Sequence, residues 1–260
     1  MINDLRAKKS LGQHWLEDNS SLDSIVEFSG VQTGDNVLEI GPGKGSLTKK
    51  LLSAGAKVIA VEKDERLAGK LSSELNGHLE IYADDILKFD LAKLPRNYKV
   101  VANIPYYLTS KLIRYLAESD NPPGEITLLV QKEVAERICA PPGSMSLLSV
   151  SAQLYYDCNP GSIIPAKLFT PPPKVDSRLV NMRRKSVQIH QNIDVKQFFR
   201  VVKAGFSSRR KTLLNSLSGG LILDKNLIEK RLKATGLNPS RRPQELSVAD
   251  WLKLSQNLTR

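Results

Sequence analysis

Cysteine is nearly absent from this chain: Cys139 and Cys158 are the only two in 260 residues, and there are only three histidines. Two cysteines at no ligand spacing and three scattered histidines exclude a zinc module, and they allow at most one disulfide. They read as buried thiols of a cytoplasmic protein, and no metal is expected. No apolar run approaches the ~18 residues of a membrane span. The opening "MINDLRAKKSLGQ" lacks the apolar core of a signal peptide, so no membrane association is expected. There is also no G-K-[ST] at phosphate-loop spacing, which excludes a P-loop nucleotide site. What remains, 41% apolar and 25% charged residues, is ordinary for a globular chain of one or two domains.

Charge is unevenly placed. The formal net charge is +11, yet residues 1–185 carry 24 Lys+Arg against 22 Asp+Glu, and residues 186–260 carry 14 against 5. A basic quarter on a nearly neutral body points to a nucleic-acid or anionic surface as partner.

Periodicity divides the chain at the same place. "NVLEIG" (36–41), "KVIAVE" (57–62), "LEIYADD" (79–85), "KVVANI" (99–104) and "ITLLVQ" (126–131) are β-rich runs. Helical patterns over 46–53, 64–75 and 109–118, and from near Lys132, separate or follow them. Strands alternating with helices build a parallel sheet covered on both faces. "SVSAQLYYD" (149–157) and "SRLVNMRR" (177–184) read as a closing antiparallel pair of strands. Beyond residue 186, four segments show helical spacing, punctuated by Gly219-Gly220 and Gly236. The expected organisation is an α/β domain over 1–185 and a small, basic, all-helical domain over 186–260.

Three strand ends carry ligand-type groups. "EIGPGKGSLT" (39–48) places Gly41, Gly43 and Gly45 at the first strand-to-helix turn, where backbone can approach a ligand closely. Glu62 ends the second strand, twenty-one residues after Gly41, where an acid accepts from both hydroxyls of a ribose. Asp85 ends the third, placed to receive an adenine amino group. NAD and S-adenosylmethionine both fit such a site, although Ser46 breaks the dinucleotide fingerprint.

"VANIPYYLTS" (101–110) separates the two. Proline stops the fourth strand and leaves an amide and two tyrosines at its C-terminal end. A hydride transferase has no use for that element, whereas a methyltransferase acting on an exocyclic amine does. The amine lone pair of adenine is delocalised into the ring. Accepting its two N–H bonds with the Asn103 side-chain oxygen and the Ile104 carbonyl favours a pyramidal, nucleophilic nitrogen, and Tyr106 can stack on the base. Catalysis is then mostly positioning and electrostatics.

These motifs, with "KSLGQHWL" (9–16), "VEKD" (61–64), "DDILKFD" (84–90), "LLVQKEVAERI" (128–138), "LFTPPPKVDS" (168–177) and "AGFSSRRKTLLNSL" (204–217), resemble the small-subunit ribosomal RNA adenine N6,N6-dimethyltransferases nearly end to end. The resemblance implies a Rossmann-like class I methyltransferase sheet and S-adenosylmethionine as cofactor. It also implies two adjacent adenosines near the 3′ end of 16S-type rRNA as substrate, modified late in assembly of a pre-30S particle; a monomer is expected. Carried over by position, it makes Gly41, Gly43, Glu62, Lys63, Asp85, Ile86 and Asn103 cofactor residues. His14 and Leu16 would lie over the methionine part. Asn103, Ile104, Pro105 and Tyr106 become the catalytic element, with Phe169 closing the base pocket opposite Tyr106. The chain departs from the family in having His14-Trp15 where Asn-Phe is usual; imidazole donates as an amide does, so that contact is expected to survive.

Arg209, Arg210 and Lys211 fall at the expected N-terminal turn of a helix, where cations oppose the macrodipole. That placement suggests phosphate as their partner, with Arg241 and Arg242 contributing to an RNA-docking surface. The rival readings are a large-subunit rRNA adenine methyltransferase, a non-catalytic assembly factor and a NAD oxidoreductase.

Overall fold

Short β-branched runs alternate with capped amphipathic helices in a computed structural model that describes residues 6–75, 77–187, 193–208 and 210–258. A two-residue strand β1 (Trp15–Leu16) precedes helix α1 (Asn19–Ser29). There follow β2 (Asn36–Ile40), α2 (Ser46–Ser53), β3 (Lys57–Glu62), α3 (Glu65–Glu74), β4 (Leu79–Ala83), β5 (Lys99–Asn103), α4 (Thr109–Ala117), β6 (Glu125–Gln131) and α5 (Lys132–Ile138). Then come α6 (Leu147–Gln153), β7 (Tyr156–Ile164), β8 (Phe169–Thr170) and β9 (Ser177–Arg184).

The seven-stranded sheet has the order β4-β3-β2-β5-β6-β9-β7. The first five strands pair in parallel, and β9 joins β6 antiparallel. Strand order reverses at β2, which has β3 on one side and β5 on the other, so a ligand crevice is expected beyond the C-terminal ends of these strands. The central strands are buried on both faces, and Val37, Leu38, Val58, Val101 and Leu129 are all but inaccessible. Each such side chain contributes about 1.5–3 kcal/mol on burial. Helix ends are fixed locally: Asp18 accepts from Ser21 N to start α1, and Gly30, at φ 59°, ends it in the left-handed region that favours glycine.

The segment read as a strand at 149–157 is largely the helix α6. Ser146 and Ser149 form a reciprocal capping box at its start. The cap overrides an alternation that resembles a strand, and extended pairing begins only at Tyr156.

Packing divides the chain into two units, one running to Glu136 and including Asp157–Arg184, the other Arg137–Tyr156 with Lys185 onward. The expectation of a single boundary at 185/186 meets a chain that also crosses after Glu136 and Tyr156. Within the second unit, Gly143 N and Met145 N both donate to the Gln244 carbonyl, which ties that excursion to the C-terminal helices.

Those helices are α7 (Val195–Gly205), α8 (Leu213–Leu221), α9 (Lys225–Ala234) and α10 (Val248–Leu258). Phe198, Val201, Leu213, Leu217, Ile228, Leu232, Trp251 and Leu254 are buried in this unit. Gly219 and Gly220 lie inside α8 rather than between helices. A Cβ on Gly220 would stand 2.7 Å from Cα of Ala204, so this glycine permits close approach of α7 and α8.

Candidate functional site

The C-terminal ends of β2, β3, β4 and β5 converge on a cavity of about 310 Å³. His14, Leu16, Gly41, Gly43, Glu62, Lys63, Asp85, Ile86, Asn103, Ile104, Pro105 and Tyr106 all line it. Phe169 does not. It is 2% exposed and belongs to the apolar cluster with Leu16, Leu22 and Ile164, its strand β8 pairing with β1. That pairing sets Phe169 directly across from Leu16, itself a lining residue.

The glycine turn begins where β2 ends. Gly43 has φ 59°, and a Cβ on it would lie 3.1 Å from the Trp15 ring, so both conformation and space call for glycine. Its N–H donates to Glu62 Oε2 at 3.0 Å, while Asp64 N donates to Oε1 at 2.8 Å. These bonds fix the Glu62 carboxylate at the cavity wall, with lone pairs to spare for a diol. Burial raises the Glu62 pKa, the two N–H bonds work against that, and the nearby Asp64 charge adds to it.

Asp85 accepts from Leu87 N at 3.1 Å and from Lys63 Nζ at 2.7 Å. The Lys63 contact holds its pKa below the ordinary carboxylate range. Asp85 thus meets a ligand as an ionised acceptor already sharing one oxygen with a lysine.

Asn103 ends β5. Its Nδ2 donates to the His14 carbonyl at 3.2 Å, and among the described residues no donor meets Oδ1. The amide is therefore oriented oxygen-outward. Tyr106 is fixed by a 2.9 Å contact between its hydroxyl and that of Ser177, and burial raises its pKa. Tyr107, 63% exposed, flanks the opening.

Three features went unread in the sequence. Glu39, the only charge in β2, is 1% exposed and lines the cavity, and its Oε2 has no hydrogen-bond partner. Burial pushes its pKa up to about 8; the Thr48 hydroxyl opposes this and the Glu62 charge adds to it. An acid flanked by apolar residues in a strand next to a glycine turn was the available signal. Asp64 is the second. It accepts from Lys8 Nζ (3.2 Å), Gln13 Nε2 (3.4 Å) and the Arg66 guanidinium (2.9 and 2.6 Å), and Arg66 above all holds it far below the usual carboxylate range. The third is a stack over the glycine turn, where Lys44 Nζ lies 4.5 Å from the centre of the Trp15 ring.

These residues fit S-adenosylmethionine. Glu62 offers carboxylate oxygens for ribose hydroxyls, Asp85 an acceptor for an adenine amine, and the turn at Gly41 and Gly43 bare backbone. Glu39 adds a buried polar atom without a partner. Among the described residues no group of three potential metal ligands occurs, and no helix is long and apolar enough to cross a membrane.

In the second unit, α8 starts at Leu213 with Thr212 as its N-cap, so Arg210 and Lys211 precede the helix rather than occupy its first turn. Both are exposed, and Arg209 lies outside the described residues. Leu213 N donates to the Arg241 carbonyl at 2.7 Å, which brings Arg241 and Arg242 next to that helix start. The Arg241 side chain is partly engaged, donating to the Glu245 carbonyl and lying 3.5 Å from its carboxylate.

A family model described as "Ribosomal RNA adenine dimethylase" matches residues 4–260. A "Ribosomal RNA small subunit methyltransferase A" of Dehalococcoides mccartyi is 39% identical over 255 residues, covering 96% of this chain and 88% of the relative. The protein of that name from Nostoc sp. is 39% identical and covers 98% of both. Among solved structures, a dimethyladenosine transferase from Plasmodium falciparum is 28% identical with a TM-score of 0.77, covering 93% of this chain and 96% of its own. The 23S rRNA methyltransferase ErmE is 25% identical with a TM-score of 0.73, covering 95% and 100%.

Proposed function

The chain belongs to the ribosomal RNA adenine dimethylase family, and from that premise we propose that it dimethylates the exocyclic amines of two adjacent adenosines near the 3′ end of small-subunit rRNA, late in assembly of the 30S particle. When bound, S-adenosylmethionine supplies an electrophilic methyl on a sulfonium. In this reading Glu62 holds the ribose, Asp85 the cofactor adenine, and Gly41, Gly43, Lys63, Ile86, His14 and Leu16 line the rest.

The observation that carries the chemistry is the orientation of Asn103. Its Nδ2 is committed to the His14 carbonyl, so Oδ1 is the end available to accept one amine N–H of the substrate. The backbone carbonyl of Ile104, next in the turn, accepts the other. Together they favour a pyramidal nitrogen whose lone pair is directed at the electrophile. Alkylation makes the nitrogen acidic, and its proton leaves to solvent without a strong base. Tyr106 supplies a face for the extruded base, at about 1–3 kcal/mol of stacking.

Arg209, Arg210, Lys211, Arg241 and Arg242 are assigned to backbone contacts with structured rRNA, which positions the particle without reading bases. Arg210, Lys211 and the Arg241 backbone gather at one helix start, which supports that assignment. In this reading the protein acts in the cytoplasm, where ribosomes assemble, and as a monomer.

Incubation with labelled S-adenosylmethionine and unmodified small and large subunits tests the proposal. Label should appear as N6,N6-dimethyladenosine in small-subunit rRNA. Label confined to the large subunit would overturn the substrate assignment, and absence of transfer to either would overturn the activity.

A further inference from the structure

Of the seven large apolar side chains exposed among the described residues, three fall within six consecutive positions at the turn between α8 and α9: Ile222, Leu223 and Leu227. Ile222 is 91% exposed. It also closes α8 in the left-handed region, at φ 57° and ψ 47°, with its N–H donating to the Ser218 carbonyl. Helices commonly end in that conformation, but with glycine or asparagine at the position. A β-branched side chain there crowds its own backbone. This chain has its glycines inside the helix, at 219 and 220, and isoleucine where the helix ends. Conformation opposes Ile222, and at such exposure packing returns almost nothing. What it gains must come from a surface outside the chain.

Charge says which surface. Residues 221–235 hold four Lys+Arg against two Asp+Glu. Both acids are occupied: Asp224 caps α9 by accepting from Asn226 N and Leu227 N, and Glu229 pairs with Lys233 at 2.6 Å. Lys225 and Lys230 are exposed. That balance repels a second copy of the same turn and suits a polyanion. The minor groove of an RNA helix is wide, shallow and lined by sugars, and apolar side chains are the usual wedges in minor grooves. We propose that the Ile222–Leu223 turn is a second rRNA contact, an apolar tip seated in a minor groove with Lys225 and Lys230 toward the flanking phosphates. This rests on the rRNA-methylating reading above and adds a contact independent of the arginine cluster. The nine residues of α8 span about 13 Å at 1.5 Å per residue, with Arg210 and Lys211 before its start and Ile222 at its end. The two contacts differ in kind. Phosphate contacts release counterions and set the salt slope, whereas loss of an apolar contact leaves that slope unchanged.

The test uses the full-length protein and unmodified small subunits, with affinity measured across a salt series and thermal unfolding measured on the free protein. Ile222→Gly and Ile222→Asn both suit the left-handed region and remove the apolar tip; Ile222→Leu keeps a tip of the same size. The Gly variant should melt about 2–4 °C higher than wild type. Gly and Asn should bind small subunits roughly tenfold more weakly, the scale of burying one aliphatic side chain, with the salt slope unchanged. Leu should bind within about threefold of wild type, since its apolar area is conserved. A photo-reactive benzoylphenylalanine in place of Ile222 should crosslink to rRNA in the bound complex. Gly and Asn variants that bind like wild type, or a Gly variant that binds weakly because it melts lower, would overturn the proposal. So would a crosslink to a ribosomal protein, or a wild-type dimer in sedimentation that the Gly variant loses. Wild type that binds and methylates small subunits while the Gly variant matches it overturns the tip alone. Wild type that neither binds nor methylates them overturns the rRNA reading, and the tip with it.

Discussion

Glu39→Gln should change how stability depends on pH, and the size of the effect follows from where the acid sits. The Glu39 carboxyl is 1% exposed in the central strand, and burial pushes its pKa from an ordinary 4.5 up to about 8. Between those values the native chain keeps a proton that the unfolded chain has released. The native state binds more protons, so stability falls as pH rises. The contribution is fully present below pH 4.5 and is lost as pH passes through about 8. At ~1.36 kcal/mol per pH unit, the window carries on the order of 5 kcal/mol. Glutamine keeps the shape and a neutral head, so the variant should lack this slope. Urea unfolding of both proteins at intervals from pH 5 to 8 measures it. Relative to wild type, the variant should gain about 1.4 kcal/mol for each unit of rising pH. Because the Glu62 charge contributes to the rise, the two acids titrate together and the comparison is made over the whole window. Asp64 does not intrude: its pKa is depressed, so its contribution is present above the ordinary carboxylate range and is lost only as pH falls below it. Parallel stability curves for the two proteins would refute the reasoning.

Glu62→Ala should weaken S-adenosylmethionine binding at least tenfold in a folded protein, since hydrogen bonds to a charged group are worth roughly 1.5–3 kcal/mol each; calorimetry checks it, and unchanged affinity removes Glu62 from the site. Asn103→Ala should largely keep cofactor binding and lose most of the single-turnover rate on small subunits, with Tyr106→Ala losing about 1–3 kcal/mol of base stacking. Rates equal to wild type in both would end the assignment of "NIPY". Reversing Arg209, Arg210 and Lys211 to Glu should abolish small-subunit binding while leaving cofactor affinity intact. Wild-type binding should also weaken steeply with salt as counterions are released, and a variant with wild-type affinity and salt slope refutes the docking role.

Much of the fold could be read from period alone. The runs at 57–62 and 46–53 coincide with β3 and α2, because central strands of a parallel sheet are continuous apolar runs and each helix between them carries one apolar face. Two local readings failed where a longer-range contact outweighed the pattern. Gly219-Gly220 signals a break by propensity, yet α8 runs through it because Gly220 lets that helix approach Ala204 of α7. At 149–157 the alternation of apolar and polar residues resembles a strand until the Ser146–Ser149 capping box is recognised. In both places the deciding contact is a side-chain detail that a periodicity count does not weigh.

The cavity was legible for the same reason in reverse, since a parallel sheet brings the ends of successive strands to one edge whatever lies between them. Glu62 and Asn103 close their strands and Asp85 lies just beyond the end of β4 at Ala83, so placing them needed only that rule. The N-terminal segment did not follow from it. Lys8 and Gln13 reach Asp64 across 56 and 51 residues, the His14 carbonyl takes the Asn103 amide across 89, and the His14 ring meets Pro171 across 157. No spacing rule links such positions, and the segment itself is too short and irregular to carry a period. Yet these contacts commit the Asn103 Nδ2 to the His14 carbonyl and hold the His14 ring against Pro171. The strand ends say what kind of ligand the site takes, and the strap laid over them sets the geometry in which that ligand is held. A substitution in the strap should therefore change cofactor binding or turnover before it changes the fold. That order of effects is the reverse of what Leu38 or Leu128, buried in the sheet and outside the cavity lining, would show.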